Sequence, residues 1–453
     1  MFDFKRPNVV TKIPGEKAKK LIDLDDQYMM TVTKTSPLAI SHAKGIVLED
    51  VDGNTFYDFT SGVGVCNTGH CHPKVVKAIQ EQTAKLIHFA GTDYYYEPQS
   101  LLVEKLAKVG PGPATKKVFF TNSGAESVEA ALKLARFYTK RPQFLAFMGA
   151  FHGRTMGALS LTCSKSLHRK GFQPSTPGVV HIPYAYCYRC PYNSTYPSCN
   201  MHCTKVLDTY FRQMIDPTEI AAIFVEPIQG EGGYIVPPKE FHQNLKKICE
   251  QYGILFVSDE VQAGFGRTGK FFGIQNFDVV PDIVTCAKGM GSGLPIGCII
   301  FDAKLDYPYQ GAHSNTYGGN PVCCASTLAT LDILQNDGII DNAKVVGDHL
   351  HNGLQELKNK HRLIGDVRGI GLMQGIELVK DPITKEFAKE ERDLIVEEML
   401  NLGLVCIGCG VSSIRFIPPL IITKKEVDVA LEIIDKAITN VEKHKNTTSS
   451  DNI

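Results

Sequence analysis

The sequence has 453 residues, 43% of them hydrophobic and 21% charged, which fits a globular chain and excludes a disordered one. Lys and Arg number 48 and Asp and Glu number 48, so the formal charge is zero. That balance argues against a general nucleic-acid or membrane-surface binder, which would carry a basic excess.

In chain order, Met1 to Lys20 is polar, broken by Pro7 and Pro14, and has no apolar signal-peptide core. No run approaches the ~18 consecutive apolar residues of a membrane-spanning helix. A cytoplasmic location is expected, with the 14 cysteines mostly reduced. Ile46–Leu48 and Thr55–Tyr57 flank Asp52-Gly53, a β-hairpin pattern because both turn residues tolerate positive φ. From about residue 64, apolar β-rich runs alternate with helical stretches. The runs are Val118–Phe120, Phe144–Met148, Ala221–Val225, Ile254–Val257, Ile283-Val284 and Ile296–Phe301. Such alternation predicts βα units and a mostly parallel sheet. Beyond Asn320 the spacing predicts helices over 322–335, 340–359, 389–402 and 424–442. Short strands are expected at Met373–Leu378 and Ile414–Ile417. The expected organisation is an arm and hairpin over 1–63, a large α/β domain over 64–320, and a smaller α+β domain over 321–453 that the arm joins.

Ligands of open α/β sheets sit at the carboxyl ends of strands, and the strand runs here end in chemically suggestive residues. Val118–Phe120 leads into Thr121-Asn122-Ser123-Gly124-Ala125-Glu126 and a helical stretch from Ser127 to Tyr138. A helix N-terminus with small residues is an anion site, although an ordinary N-cap at Ser123 reads the same way. Phe144–Met148 is followed by Phe151-His152-Gly153-Arg154. There Phe151 could stack on a planar ring and Arg154 could hold a carboxylate bidentately. Ala221–Val225 ends in Glu226, with Glu231 in the glycine-rich turn beyond it, and Ile254–Ser258 ends in Asp259-Glu260-Val261-Gln262. A carboxylate ending a buried strand needs a cationic or N–H partner, and a protonated pyridine nitrogen would supply one. Lys288, between Thr285-Cys286-Ala287 and Gly289, sits where desolvation favours the neutral amine that a Schiff-base nucleophile requires. Each feature alone is ordinary. Together they supply what a pyridoxal-phosphate site needs.

With these motifs the chain resembles the class III (ω-amino-acid) pyridoxal-phosphate aminotransferases, from about Ile46 to about Leu420. Further motifs carrying the resemblance are Asn67-Thr68-Gly69-His70, Phe265-Gly266-Arg267-Thr268-Gly269 and Thr316-Tyr317-Gly318-Gly319-Asn320-Pro321. The resemblance implies fold type I, with a seven-stranded-type sheet and pyridoxal 5'-phosphate as cofactor. It implies a homodimer, or a dimer of dimers, with shared active sites. Ser123, Gly124 and Ala125 would then hold the phosphate, and Thr316 would reach the phosphate in the neighbouring subunit. Phe151 would stack on the ring, His152 and Glu226 would lie beside it, Asp259 would pair with the ring nitrogen, and Gln262 would meet the phenolic oxygen. Lys288 would carry the cofactor as a Schiff base and shuttle the proton. Arg415 resembles the arginine for an α-carboxylate, Arg154 the one for a distal carboxylate, and Glu231 the gate that pairs with the former while an ω-amine is bound.

Val63 stands where ornithine aminotransferases look to carry a tyrosine and 4-aminobutyrate aminotransferases an aliphatic residue. A valine cannot hydrogen-bond an amine, so 4-aminobutyrate with 2-oxoglutarate as acceptor is the expected pair. The alternatives are an amino-acid racemase or epimerase of the same family, which needs a second acid/base opposite the lysine, and ornithine or acetylornithine transamination. A binding protein without turnover is the alternative outside enzymology. Cys187-x2-Cys190 and Cys199-x3-Cys203 read as a small metal site, as disulfides or as free thiols.

Overall fold

In a computed structural model, which describes the backbone of residues 6–450 and the side chains of residues 6–443, the strands are β1 (Ile40–Lys44), β2 (Val47–Asp50), β3 (Thr55–Asp58), β4 (Lys116–Thr121), β5 (Gln143–Phe147), β6 (Val179–Ile182), β7 (Ile220–Val225), β8 (Leu255–Asp259), β9 (Ile283–Cys286), β10 (Gly297–Asp302), β11 (Ile364–Ile370), β12 (Met373–Leu378), β13 (Leu404–Val405), β14 (Ile407–Cys409) and β15 (Ser413–Phe416). The chain forms two compact units, one of residues 73–341 and one of residues 1–72 with 342–453. The sequence placed the corresponding boundaries at 63/64 and 320/321. The difference at the second boundary is helix Pro321–Asn336, which packs on helices Pro73–Thr83 and Glu97–Val109 and so belongs with the larger unit.

The larger unit is built on a seven-stranded sheet of order β4-β10-β9-β8-β7-β5-β6. Strand β10 runs antiparallel to both of its neighbours, and β9, β8, β7, β5 and β6 are mutually parallel. Strands β7 and β8 are buried along their whole length, which explains why they read as continuous apolar runs rather than alternating ones. Helix Gly124–Thr139 lays Val128, Ala131, Leu132 and Ala135 against Phe144, Ala222, Phe224, Val257 and Ile299 of the sheet. Ordinary burial of such side chains stabilises by roughly 1.5–3 kcal/mol for each large one. The consequence for function is directional. Strands β5, β7, β8 and β9 all end at the same edge, so residues far apart in sequence arrive together there.

The smaller unit has two four-stranded sheets, ordered β1-β2-β3-β13 and β11-β12-β15-β14. The β2–β3 hairpin is present, with Leu48 opposite Phe56. Its turn is fixed by Asp50, whose Oδ1 accepts from the backbone N–H of Asp52 and of Asn54 at 2.9 and 2.8 Å. Asp52 faces the N-terminal arm instead, where its carboxylate accepts from Lys17 and Ala18 N–H, both at 2.9 Å. It thereby caps helix Glu16–Tyr28, whose own N-cap residue, Gly15, has no side chain to offer. No described helix is long and apolar enough to cross a membrane.

Candidate active site

The carboxyl edge of the large sheet encloses a cavity of about 250 Å³. Gly124, Ala125, Phe151, His152, Arg154, Glu226, Glu231, Asp259, Gln262 and Lys288 all line it, so most of the residues singled out from the sequence meet in one place. Ser123 is the N-cap of helix Gly124–Thr139 and accepts from Glu126 N–H at 3.2 Å. Glu126 reaches back to Asn122 N–H at 2.8 Å, so the first turn is held in a reciprocal cap. The leading N–H groups of the helix, at Gly124 and Ala125, stand at the cavity wall. A Cβ on Gly124 would lie 2.8 Å from Cγ1 of Val261, so only glycine lets this helix end approach the Asp259–Gln262 turn. A phosphate fits such an end without further cations.

Asp259, the last residue of β8, is almost fully buried. Its Oδ1 accepts from Thr285 Oγ1 at 3.0 Å and from Val261 N–H at 3.1 Å, and its Oδ2 meets His152 Nδ1 at 2.6 Å. Burial works to lower the His152 pKa, but the hydrogen bond and charge of Asp259, helped by the charge of Glu226, outweigh it. The ring is therefore held above its ordinary value, as a cation beside a carboxylate. Glu226 accepts from Phe151 N–H at 3.1 Å and Gly230 N–H at 3.0 Å. Burial pushes its carboxyl up to about 7, with Asp259 adding to the rise and His152 opposing it. Glu260, one residue on from Asp259, points to the other face and ties down a different turn, accepting from Gly273 and Ile274 N–H at 2.7 and 2.8 Å. Alternation along the strand end thus separates a site carboxylate from a structural one.

Lys288 follows β9 and takes φ of +48°, a left-handed conformation that non-glycine residues adopt at a cost. The strain starts the turn Lys288–Met290 abruptly and turns the lysine toward the cavity it lines. Two buried polar atoms of the lining, Gln262 Oε1 and His152 Nε2, have no hydrogen-bond partner among the described residues. Buried polar groups normally have one, so the cavity is shaped for a polar ring with its own donors and acceptors. The donor set, the helix end and the lysine fit pyridoxal phosphate.

Phe151 packs edge-on against His168 at 5.8 Å between centroids, and the Arg154 guanidinium carbon lies 5.5 Å from the Phe151 ring centre. Arg154 is exposed. Glu231 pairs with Lys165, Nζ to Oε1 at 2.6 Å. Nothing in the sequence signalled Lys165, which follows helix Met156–Leu161 in a segment without a motif. Thr316 lies in the exposed loop between β10 and helix Pro321–Asn336 and is not part of the cavity lining.

The other two substrate candidates lie in the smaller unit. Val63 occupies a turn in which Ser61, Gly62, Val63 and Gly64 all have positive φ. Asp58 holds that turn, accepting from Thr60 N–H at 2.7 Å and Ser61 N–H at 3.0 Å, while its Oδ2 meets His70 at 2.7 Å. Arg415 is a buried residue of β15, opposite Gly375 of β12. Ser61 Oγ donates to Ile417 O at 2.6 Å, so the Val63 turn is tied to the chain leaving β15.

Cys187, Cys190, Cys199 and Cys203 line one small cavity together with His202, and all four are free thiols. Burial pushes the Cys203 thiol up to about 12, with Cys187 and Cys199 adding to the rise. Among the described residues no group of three His, Cys, Asp or Glu side chains is placed to hold a metal ion.

The aminotransferase class-III family matches residues 28–438. The chain is 39% identical to an isoleucine 2-epimerase of Lentilactobacillus buchneri, over 96% of this chain and 98% of that one. It is 38% identical to a probable 4-aminobutyrate aminotransferase of Bacillus subtilis, over 87% and 91% respectively. Among solved structures, an aminotransferase of Bacillus anthracis superposes with a TM-score of 0.87 at 31% identity, covering 94% of this chain and 99% of that one. The chain belongs to the class III aminotransferases, enzymes of fold type I that depend on pyridoxal phosphate.

Proposed function

We propose that the enzyme transfers an amino group from an ω-amino acid, 4-aminobutyrate first, to 2-oxoglutarate in a ping-pong cycle through Lys288. The observation that carries the choice of donor is Val63. Its side chain is apolar and 43% exposed, on a turn whose backbone is fixed by Asp58, and it offers no hydrogen bond to a second amine. A donor with an α-amino group beside its carboxylate, such as ornithine, would leave that amine unsatisfied. The working form is a homodimer, or a dimer of dimers, in the cytoplasm, with Thr316 serving the neighbouring subunit's site.

When bound, pyridoxal phosphate supplies an electron sink for the carbon that loses its proton. The residues of this chain do the rest. The N-terminus of helix Gly124–Thr139 would hold the phosphate, and Phe151 would cover the ring. Asp259, fixed by Thr285, Val261 and His152, would keep the ring nitrogen protonated. Gln262 would donate from its side-chain amide N–H to the phenolic oxygen. Lys288 takes the proton from the substrate carbon and returns it. Arg415 holds an α-carboxylate and Arg154 a distal one.

Mixing holoenzyme with 4-aminobutyrate and no acceptor is expected to convert the cofactor spectrum to the pyridoxamine form, and 2-oxoglutarate should reverse it. A spectrum unmoved by 4-aminobutyrate would sink this donor. Arg415→Ala is expected to raise the KM for 2-oxoglutarate at least about tenfold, the loss of a charge-assisted pair, and to change 4-aminobutyrate use less. Equal losses with both substrates would count against the assigned role of Arg415.

The epimerase relative supports a second reading, racemization or epimerization of an α-amino acid. Glu231 and Lys288 line the same cavity, and two proton carriers are what such a reaction requires. Deuterium entering the α-carbon from solvent without net loss of amine would favour it over transamination.

A further inference from the structure

Thr316 is exposed and does not line the cavity of its own chain, yet the loop that carries it is held on both sides. Before it stands Asn315, half-buried. The Asn315 side-chain amide donates to Phe120 O at 2.8 Å, and its Oδ1 accepts from Gly318 N–H at 2.5 Å. Its backbone carbonyl accepts from Thr92 Oγ1 at 3.1 Å. The turn so closed admits only glycine at position 318, where a Cβ would lie 2.5 Å from Phe120 O and closer still to Asn315 Oδ1. Beyond Thr316, Asn320 N–H donates to Tyr317 O at 3.0 Å, and the Tyr96 hydroxyl donates to Gly319 O. Tyr317 packs on His88, with ring centroids 4.9 Å apart. Exposed connections are ordinarily the mobile parts of a domain. This one is pinned to the segment 88–96 and to β4, the strand that leads to the helix end at Gly124.

We propose that Asn315 is a positioning residue for the neighbouring subunit's cofactor site, acting through Thr316. Its bonds to Phe120 and Gly318 fix the backbone on either side of Thr316, so the hydroxyl is set in place before it meets a phosphate. On a loose loop the same hydroxyl would lose conformational freedom at the moment of contact, and binding would weaken by that amount. The effect crosses the interface. Loss of Asn315 weakens the site of the partner and spares the site of the chain that lost it. The proposal rests on the reading of the enzyme as a homodimer in which Thr316 serves the neighbouring site.

The test uses mixed dimers isolated through two different affinity tags, with Lys288→Ala on one chain. Borohydride can then fix the cofactor on the other chain alone, and the amount fixed during a titration with pyridoxal phosphate gives the dissociation constant of that one site. With Asn315→Ala on the Lys288→Ala chain, the constant is expected to rise about tenfold, the scale of one well-placed hydrogen bond. With Asn315→Ala on the chain that keeps Lys288, it should stay within about twofold of the mixed dimer that carries Lys288→Ala alone. Thr316→Ala should show the same asymmetry, and adding Asn315→Ala to it on the same chain should change little, as expected of a residue acting through another. Asn315→Ser, which keeps a single hydroxyl, should show the asymmetry at smaller size and serves if the alanine variant does not fold. A merely structural role would weaken the site of the variant's own chain, through Phe120 and the helix end. That result, equal losses in both arrangements, or no loss in either would overturn the role of Asn315. A Thr316→Ala chain without the asymmetry, or a wild type that does not dimerise, would overturn that role together with the dimeric reading beneath it.

Discussion

Lys288→Ala is expected to remove turnover with every amino donor, by at least about 10⁴-fold, the upper range of what a positioned proton carrier contributes. The loss has two sources at one atom. The amine is the group that links to the cofactor, and it is also the base and acid for the substrate carbon. No other cavity residue can make that link: Arg154 does not give up its proton, and Glu226, Glu231 and Asp259, which line the same cavity, carry no amine. The fold should survive. Lys288 is only half-buried and has φ of +48°, a conformation that alanine adopts no less readily than lysine. Thermal stability close to wild type would therefore accompany the loss. Borohydride reduction followed by peptide mass analysis should place the cofactor on the Lys288 peptide of the wild type and nowhere in the variant. Substantial residual turnover, or label on another lysine, would refute the assignment.

How far the sequence reaches is clearest at the ends of strands. Runs such as Ala221–Val225 and Ile283-Val284 are apolar without alternation because both faces of a central parallel strand are covered, and the residue that ends each run is therefore conspicuous. Glu226, Asp259 and Lys288 stood out for that reason, and the parallel order of β5, β7, β8 and β9 places them together. Strand β6, Val179–Ile182, was not legible: four residues at the sheet edge, flanked by prolines, carry little pattern. Three of the four C-terminal helices were legible to within one residue from apolar spacing, but the last, expected to end at 442, runs to Ser450 because its polar final turns carry no apolar pattern; β13 and β14, of two and three residues, exist only by pairing with other strands.

Interactions across long sequence distances were the other blind spot. His152 and Asp259 are 107 positions apart, and Glu231 and Lys165 are 66 apart. No local pattern tells a lysine that faces a carboxylate from one that faces solvent. The same holds for Asp52, which looks like a turn residue and in the structure caps a helix 35 residues earlier.

Asp259→Asn should lower kcat by about 10³-fold, the scale of removing one preorganised electrostatic group from a reacting centre, while leaving the cofactor bound by its phosphate end. The substitution is nearly isosteric, and Thr285, Val261 and His152 would still surround the side chain. What disappears is the negative charge. An amide can accept through one atom only and presents its N–H group to one of three donors, so the ring nitrogen loses the partner that keeps it protonated. The electron sink weakens, and proton removal by Lys288 becomes the slow step. Its signature is a primary isotope effect on the deuterated substrate carbon that rises in the variant. The network predicts a second consequence. Asp259 now helps to raise the Glu226 pKa and to hold His152 protonated. Without that charge Glu226 should ionise at lower pH and His152 should lose its proton at lower pH, both visible as a downward shift in the pH profile of kcat. A loss below about tenfold with an unmoved profile would show that another group holds the ring nitrogen. Asp259 would then be a structural carboxylate like its neighbour Glu260.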